Sequence, residues 1–393
     1  MKELILPKDY KSELNLHDTQ LAIKTVKDFF QALLAQRLNL TRVSAPLFVD
    51  PATGLNDNLN GYERPVTFGI KEQDDKSAEV VHSLAKWKRY ALKKYGFGLD
   101  EGIYTDMNAI RRDEDTDNIH SIFVDQWDWE KIIRKEDRNI DYLKETVRTV
   151  YKCLRKTEQY MAIQYDYIDL TLPKDIFFIT SQELEDMFPD NTPKEREYYI
   201  TKAKGAVCIM QIGDTLASGE PHDGRAPDYD DWGLNADILV YYPVLDIALE
   251  LSSMGIRVDK KALLSQLDKA GCPERKDLPF QKAIIDGKLP YTIGGGIGQS
   301  GRQGHRRSHG WLTVPCGRGK VTSKYHDVTV GGDGHGLARR DSSDIGDNTA
   351  RHGGRRAVDL DGYASAKRRG VNHRQVAPLG LAVHLIAGPG VPA

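Results

Sequence analysis

"SIFVDQWDWE", residues 121–130, reads as a β-strand with two different faces. Alternation sets Gln126, Asp128 and Glu130 on one face, with Val124, Trp127 and Trp129 outside that set. Three polar side chains in line on a strand otherwise apolar and aromatic are costly unless they bind something. Upstream, "GIYTDMNAIRRDEDTDNIH" (102–120) reads as a strand followed by a charged loop. Downstream, "YLKETVRTVYKCLRKTEQYMA" (142–162) has helical spacing, and "DIFFITSQELEDMF" (175–188) reads as a strand running into a capped helix. "GAVCIMQIG" and "ADILVYYPVLDIALELSSMGIRV" supply further apolar strands. Near the start, Leu21, Ala22, Val26, Phe29, Phe30, Leu33, Leu34 and Leu38 mark one helix face. "LTRVSAPLFVD" then alternates as a strand broken at Pro46, which has no N–H to donate. The expected fold is α+β: a mixed, mainly antiparallel sheet flanked by helices.

The 393 residues carry a formal charge of −2, which hides an asymmetry. From Gly301 onward there are 15 Lys+Arg against 7 Asp+Glu; before it there are 40 against 50. That segment has no Glu and no Phe, and it holds 17 of the 35 glycines and 7 of the 11 histidines. Two segments are expected: a folded domain over 1–300 and an atypical, largely disordered tail over 301–393. A basic arm for nucleic acid would need aromatic interleaving, and the tail has only Trp311, Tyr325 and Tyr363, so no nucleic-acid partner is expected. The four cysteines form no metal spacing, which suits a reducing compartment. The N-terminal apolar run is short for a signal peptide, and nothing approaches the roughly 20 residues of a membrane span. A cytoplasmic protein without membrane contact is expected.

Four stretches are candidates for chemistry. "YTIGGGIGQS" (291–300) reads as a glycine turn between a short strand and a helix, either a plain tight turn or a nucleotide loop; it fails the dinucleotide pattern because Gln299 stands where a third glycine should be. "IRRDEDTDNIH" (110–120) is either a solvated hairpin or a phosphate-binding arginine beside acceptors. "HDGRAPDYDDWG" (222–233) is either a solvated loop or part of the site. Asp237 and Glu250 border apolar strands, where lone carboxylates are unusual; they would partner Arg257 or hold magnesium. His82, Lys86 and Lys88 by themselves read as a basic surface strip.

"RRDED", the strand with Gln-x-Asp-x-Glu, "ELSSMGIRV" and "GGGIG" occur in the order of the class II aminoacyl-tRNA synthetase core, aspartyl branch. The longer strings "VVHSLAKWKR", "VDQWDWE", "RAPDYDDW", "LSSMGIRV" and "TIGGGIGQS" resemble the ammonia-dependent asparagine synthetases (aspartate–ammonia ligases, AMP-forming). The resemblance covers roughly residues 1–300. It implies that L-aspartate is activated by ATP to β-aspartyl-AMP and then attacked by ammonia, in a homodimer that uses Mg2+.

Carried over by motif, Arg111 contacts the α-phosphate, with Arg112 as a second candidate. Gln126 and Asp128 face the amino acid. Asp57 and Asp230 hold its ammonium or receive ammonia. Ser83 and Lys88 fix its carboxylates, Ser253 and Arg257 line the pocket, and Asp237 and Glu250 place the metal. Gly294, Gly295, Gly296 and Gly298 let the backbone approach adenine and ribose. The family pattern continues with an arginine and an apolar helix, but here Gly301 takes that place and Arg302 comes one position late. That departure points to a frameshift or chimeric gene. It leaves a catalytically impaired member, or an aspartyl- or asparaginyl-tRNA synthetase-like enzyme, as the alternatives.

Overall fold

The computed structural model describes residues 12–57, 59 and 63–299. The expectations for 301–393, and for the position held by Gly301, lie outside the described residues.

The chain opens with α1 (Leu16–Leu38), followed by β1 (Leu40–Arg42), β2 (Phe48–Val49), β3 (Thr67–Ile70) and β4 (Lys76–Val80). Next come α2 (Ala85–Tyr95), the hairpin of β5 (Gly102–Ile110) and β6 (Phe123–Ile132), and the long α3 (Ile140–Gln164). β7 (Phe177–Thr180), α4 (Ser181–Met187), α5 (Pro193–Lys204) and β8 (Ala206–Met210) follow. The last part holds β9 (Asp230–Tyr242), β10 (Ile247–Arg257), α6 (Lys260–Lys269), α7 (Pro279–Ile285) and β11 (Thr292–Gly298). Eight strands form one sheet in the order β1-β5-β6-β11-β10-β9-β8-β7, and β2, β4 and β3 form a small second sheet. Within the large sheet, β1–β5 and β7–β8 are parallel pairs and the remaining pairs are antiparallel. The α+β reading, with helices flanking a mainly antiparallel sheet, is therefore what the chain adopts.

Local signals account for most boundaries. Asn15 caps α1 by accepting the Asp18 N–H at 2.9 Å, and Asn39 ends it in the left-handed region at φ 56°. Thr180 and Glu183 form a capping box at α4, as do Thr192 and Glu195 at α5. Alternation on β6 sends Trp127 and Trp129 into the main core with Phe30 and Leu34 of α1 and Leu143, Val147 and Val150 of α3. Burying each such side chain contributes roughly 1.5–3 kcal/mol. The opposite face meets α2, where Val124 and Ile132 pack with Trp87, Ala91 and Leu92.

One expectation is corrected. Residues 292–298 are a fully paired strand and not a glycine turn, hydrogen-bonded to β6 on one side and β10 on the other. Their glycines answer a steric demand. A Cβ on Gly294 would lie 2.0 Å from Oε2 of Glu130, and one on Gly296 would lie 2.4 Å from Oε1 of Gln126. The glycine row leaves room for the polar row of β6.

Candidate functional site

The polar face of β6 forms the floor of a cleft of about 310 Å3, in the range of small-molecule sites. Over this floor, α2 brings Lys88, which is 1% exposed. Its ammonium donates to Asp128 and to the Gly295 carbonyl, the latter at 3.1 Å, and lies 3.9 Å from Glu130. The reading of His82, Lys86 and Lys88 as a surface strip is overturned, since all three are buried. They sit in the first turns of α2 and on its approach, where Ala85 to Arg89 are all buried, so no single face of the helix is left to water. Lys86 donates to Asp228 at 2.7 Å, in the loop before β9.

Arg257, at the end of β10, donates through Nε and Nη2 to Glu130 at 2.7–3.1 Å and through Nη1 to Asp230. Its carboxylate partners are these two, so Asp237 and Glu250 are not. Asp237 instead pairs with Arg225, which also donates to Ser253 at 2.9 Å. The solvated-loop reading of 222–233 fails as well: His222, Asp228 and Asp230 are buried, and Arg225, Tyr229 and Asp230 line the cleft.

The electrostatics follow from this burial. Burial disfavours the charge on Lys88 and lowers its pKa despite Asp128. Burial would raise Glu130, but the charge and hydrogen bonds of Arg257 hold it below the usual carboxylate range. Asp230 stays above that range because burial outweighs Arg257. Burial, together with the charge of Glu250, pushes Asp237 up to about 7 against the pull of Arg225. On the floor, three carboxylates (Asp128, Glu130 and Asp230) face two cations (Lys88 and Arg257). Oδ2 of Asp128 is buried without a hydrogen-bond partner. Asp57, also buried, accepts the Ser83 hydroxyl at 2.9 Å and the Leu59 N–H at 2.9 Å. An acceptor-rich floor of this kind suits a ligand that brings an ammonium group.

The cleft gathers Asp57, Ser83, Lys88, Arg111, Gln126, Asp128, Asp230, Glu250, Ser253, Arg257, Gly295 and Gly296 from the sequence candidates. Arg112 is exposed and absent from the lining, which Arg111 joins. Asp237 lies behind Arg225, while Gly294 and Gly298 are outside the lining. His120, Lys194, Arg225 and Tyr229 line the cleft and were not among the candidates. Arg225 and Tyr229 stood inside a quoted loop, and His120 closed the charged hairpin. Lys194 had no local signal, because it reaches the cleft from the first turn of α5. Among the described residues no group of three His, Cys, Asp or Glu could hold a metal by itself. Magnesium is usually held by one or two carboxylates and by substrate phosphates; Asp237 and Glu250 lie close enough for the charge of Glu250 to raise Asp237, although Asp237 is also paired with Arg225.

A family model described as aspartate-ammonia ligase matches residues 17–303. An aspartate–ammonia ligase of Clostridium tetani is 63% identical over 299 residues, which are 76% of this chain and 88% of that protein. One from Lactobacillus johnsonii is 61% identical over 298 residues, 76% of this chain and 89% of that protein. Among solved structures, asparaginyl-tRNA synthetase from Pyrococcus horikoshii, complexed with asparaginyl-adenylate, superposes with a TM-score of 0.51 at 14% identity. The match covers 72% of this chain and 64% of the synthetase, and it shows a shared class II synthetase-like fold.

Proposed function

Because this chain belongs to the aspartate–ammonia ligase family, we propose that it makes L-asparagine from L-aspartate, ammonia and ATP. The observation that carries this reading is the acceptor-rich floor, with the orphaned Oδ2 of Asp128, beside the cations of the cleft. The side-chain carboxylate of aspartate attacks the α-phosphorus of ATP and expels pyrophosphate. Ammonia then adds to the acyl carbon of β-aspartyl-AMP, loses a proton, and AMP leaves. Both steps depend on positioning and on neutralising phosphate charge.

Asp128 and Gln126 receive the α-ammonium of aspartate. Ser83 and Lys88 orient its carboxylates, and Arg257 and Ser253 close the same pocket. Arg111 neutralises the α-phosphate as charge builds on it. Asp57 and Asp230 hold the incoming ammonia, and Asp230, held above the usual carboxylate range by burial, takes up its proton. Asp237 and Glu250 would hold Mg2+, which when bound supplies positive charge to the polyphosphate. The backbone of Gly295 and Gly296 lines the nucleotide side, and Gly294 and Gly298 add two further positions of β11 without side chains.

We read the working form as a cytoplasmic homodimer joined through α1 and the edge strand β1, where Leu16 and Leu21 are exposed. Among the described residues no helix is long and apolar enough to cross a membrane. The test is to supply the purified chain with ATP, magnesium and aspartate, with and without ammonium, and to measure pyrophosphate and asparagine. Ammonium-dependent asparagine supports the reading. Charging of tRNA with no asparagine formed would replace it, and ligand binding without turnover would identify an impaired member.

A further inference from the structure

The cations around the cleft differ in how firmly they are held. Lys88 and Arg257 are committed to buried carboxylates of the floor, and Arg225 is clamped between Asp237 and Ser253. Lys194 is more open to water. Its side chain is 70% exposed, and its ammonium meets Glu197 at 3.0 Å and Asp223 at 3.5 Å. Asp223 is itself 44% exposed. An ion pair as open to water as the one with Asp223 contributes about 0–1 kcal/mol, so a ligand of higher charge displaces it readily, while Glu197, only 10% exposed, holds the ammonium from the other side.

Lys194 lines the cleft on the same wall as Asp223, Arg225 and Glu250. That wall is remote in kind from the floor. The floor is dry and rich in carboxylates, whereas this wall carries a cation and a carboxylate, Lys194 and Asp223, that are open to water. The group that must leave the site in the proposed reaction is pyrophosphate, which needs positive charge while it forms and a route to water afterwards.

Resting on the ligase reading above, we propose that Lys194 binds the pyrophosphate end of ATP, exchanging its contact with Asp223 for a phosphate oxygen. An ammonium on a flexible stem suits this task, since it is a compact charge with three rotatable donors and follows a moving phosphate. Asp223 then serves as the resting counter-ion that keeps Lys194 turned toward the cleft before the nucleotide arrives.

The test is calorimetric binding to the full chain with two separate probes, magnesium pyrophosphate and AMP, for the wild type, Lys194→Gln and Lys194→Arg. Lys194 is exposed and Glu197 keeps His222 beside it, so both variants keep a melting temperature close to that of the wild type. Lys194→Gln weakens pyrophosphate binding about tenfold while AMP affinity stays within about twofold, and Lys194→Arg recovers most of the loss. Equal pyrophosphate affinity in the wild type and Lys194→Gln overturns the assignment. So does an equal loss for both probes, or no pyrophosphate binding by the wild type. Asparagine formation is measured separately. Its absence alongside the pyrophosphate-selective pattern would sink the ligase reading and leave the phosphate-binding role of Lys194 standing.

Discussion

Replacing Arg257 by Met keeps much of the side-chain volume and removes the cation that bridges Glu130 and Asp230. The guanidinium makes three hydrogen bonds to Glu130, at 2.7, 2.9 and 3.1 Å, and one more to Asp230. The partners are 0% and 2% exposed at their side chains, so water cannot take over. Removing one partner of a buried ion pair costs roughly 3–5 kcal/mol, because the remaining charge stays buried and uncompensated.

The sign with pH follows from Glu130. In the wild type its folded pKa lies below the ordinary value, so its ionised form contributes stability above the unfolded pKa. That contribution is lost as pH falls through the folded pKa. Without Arg257, burial dominates and raises the folded pKa. The variant is then penalised above the unfolded pKa, near 4.3, and relieved as pH falls and Glu130 takes up a proton. Urea unfolding at pH 7.5 and pH 5 measures both effects. The expected result is a loss of about 3–5 kcal/mol at pH 7.5 that shrinks at pH 5, with part of it recovered in Arg257→Met/Glu130→Gln. A loss under about 1 kcal/mol, or one that does not change with pH, refutes the reasoning.

Other expectations follow from the same geometry. Asp128→Asn preserves shape and removes the acceptor charge, so KM for aspartate rises at least about tenfold, with KM for ATP far less affected; steady-state kinetics checks this. Gly294→Ala drives a Cβ to 2.0 Å from Glu130 and 2.6 Å from the Trp129 carbonyl and lowers the melting temperature markedly. Gly298→Ala, with none of the described residues within 4 Å of the new Cβ, leaves it nearly unchanged, and the pair is read by thermal denaturation. Hydrogen bonds from Tyr241, Lys202 and Tyr198 hold the Asp246 carboxyl down at about 2. Asp246→Asn is therefore less stable than the wild type at neutral pH, and the difference disappears as pH falls from about 4 towards 2, as acid-range unfolding curves will show.

Much of this molecule was legible in one dimension. The alternation of "SIFVDQWDWE" separated tryptophans bound for the core from a polar row bound for a site, and the helix caps at Asn15, Thr180 and Thr192 are local chemistry. The motif order pointed to the family, and twelve of the sixteen candidate residues line one cleft. Period and spacing are properties of neighbours along the chain, so a sequence carries them in full. The glycine strand was misread because a run of glycines has no side chains from which to read a period. Its reason for being glycine is the Glu130 and Gln126 carboxyl and carboxamide groups, more than 160 positions away in sequence but beside it across the β6–β11 ladder.

Charge partners were hidden for a similar reason. The composition around Arg257, Asp237 and Glu250 was compatible with several pairings. Only the register of β9 against β10, with Ser253 opposite Asp237 and Arg257 opposite Asp230, decided which carboxylate each arginine takes. Lys86, Lys88 and Lys194 look alike as letters in basic stretches, yet two are buried and one is open to water. Desolvation decides what a charged group can do, and it is set by everything packed around that group in three dimensions. The sequence by itself determined most of the elements, the family and the list of chemical groups; the tertiary structure decided which charges are locked, which carboxylate oxygen lacks a partner, and which cation stays open to water.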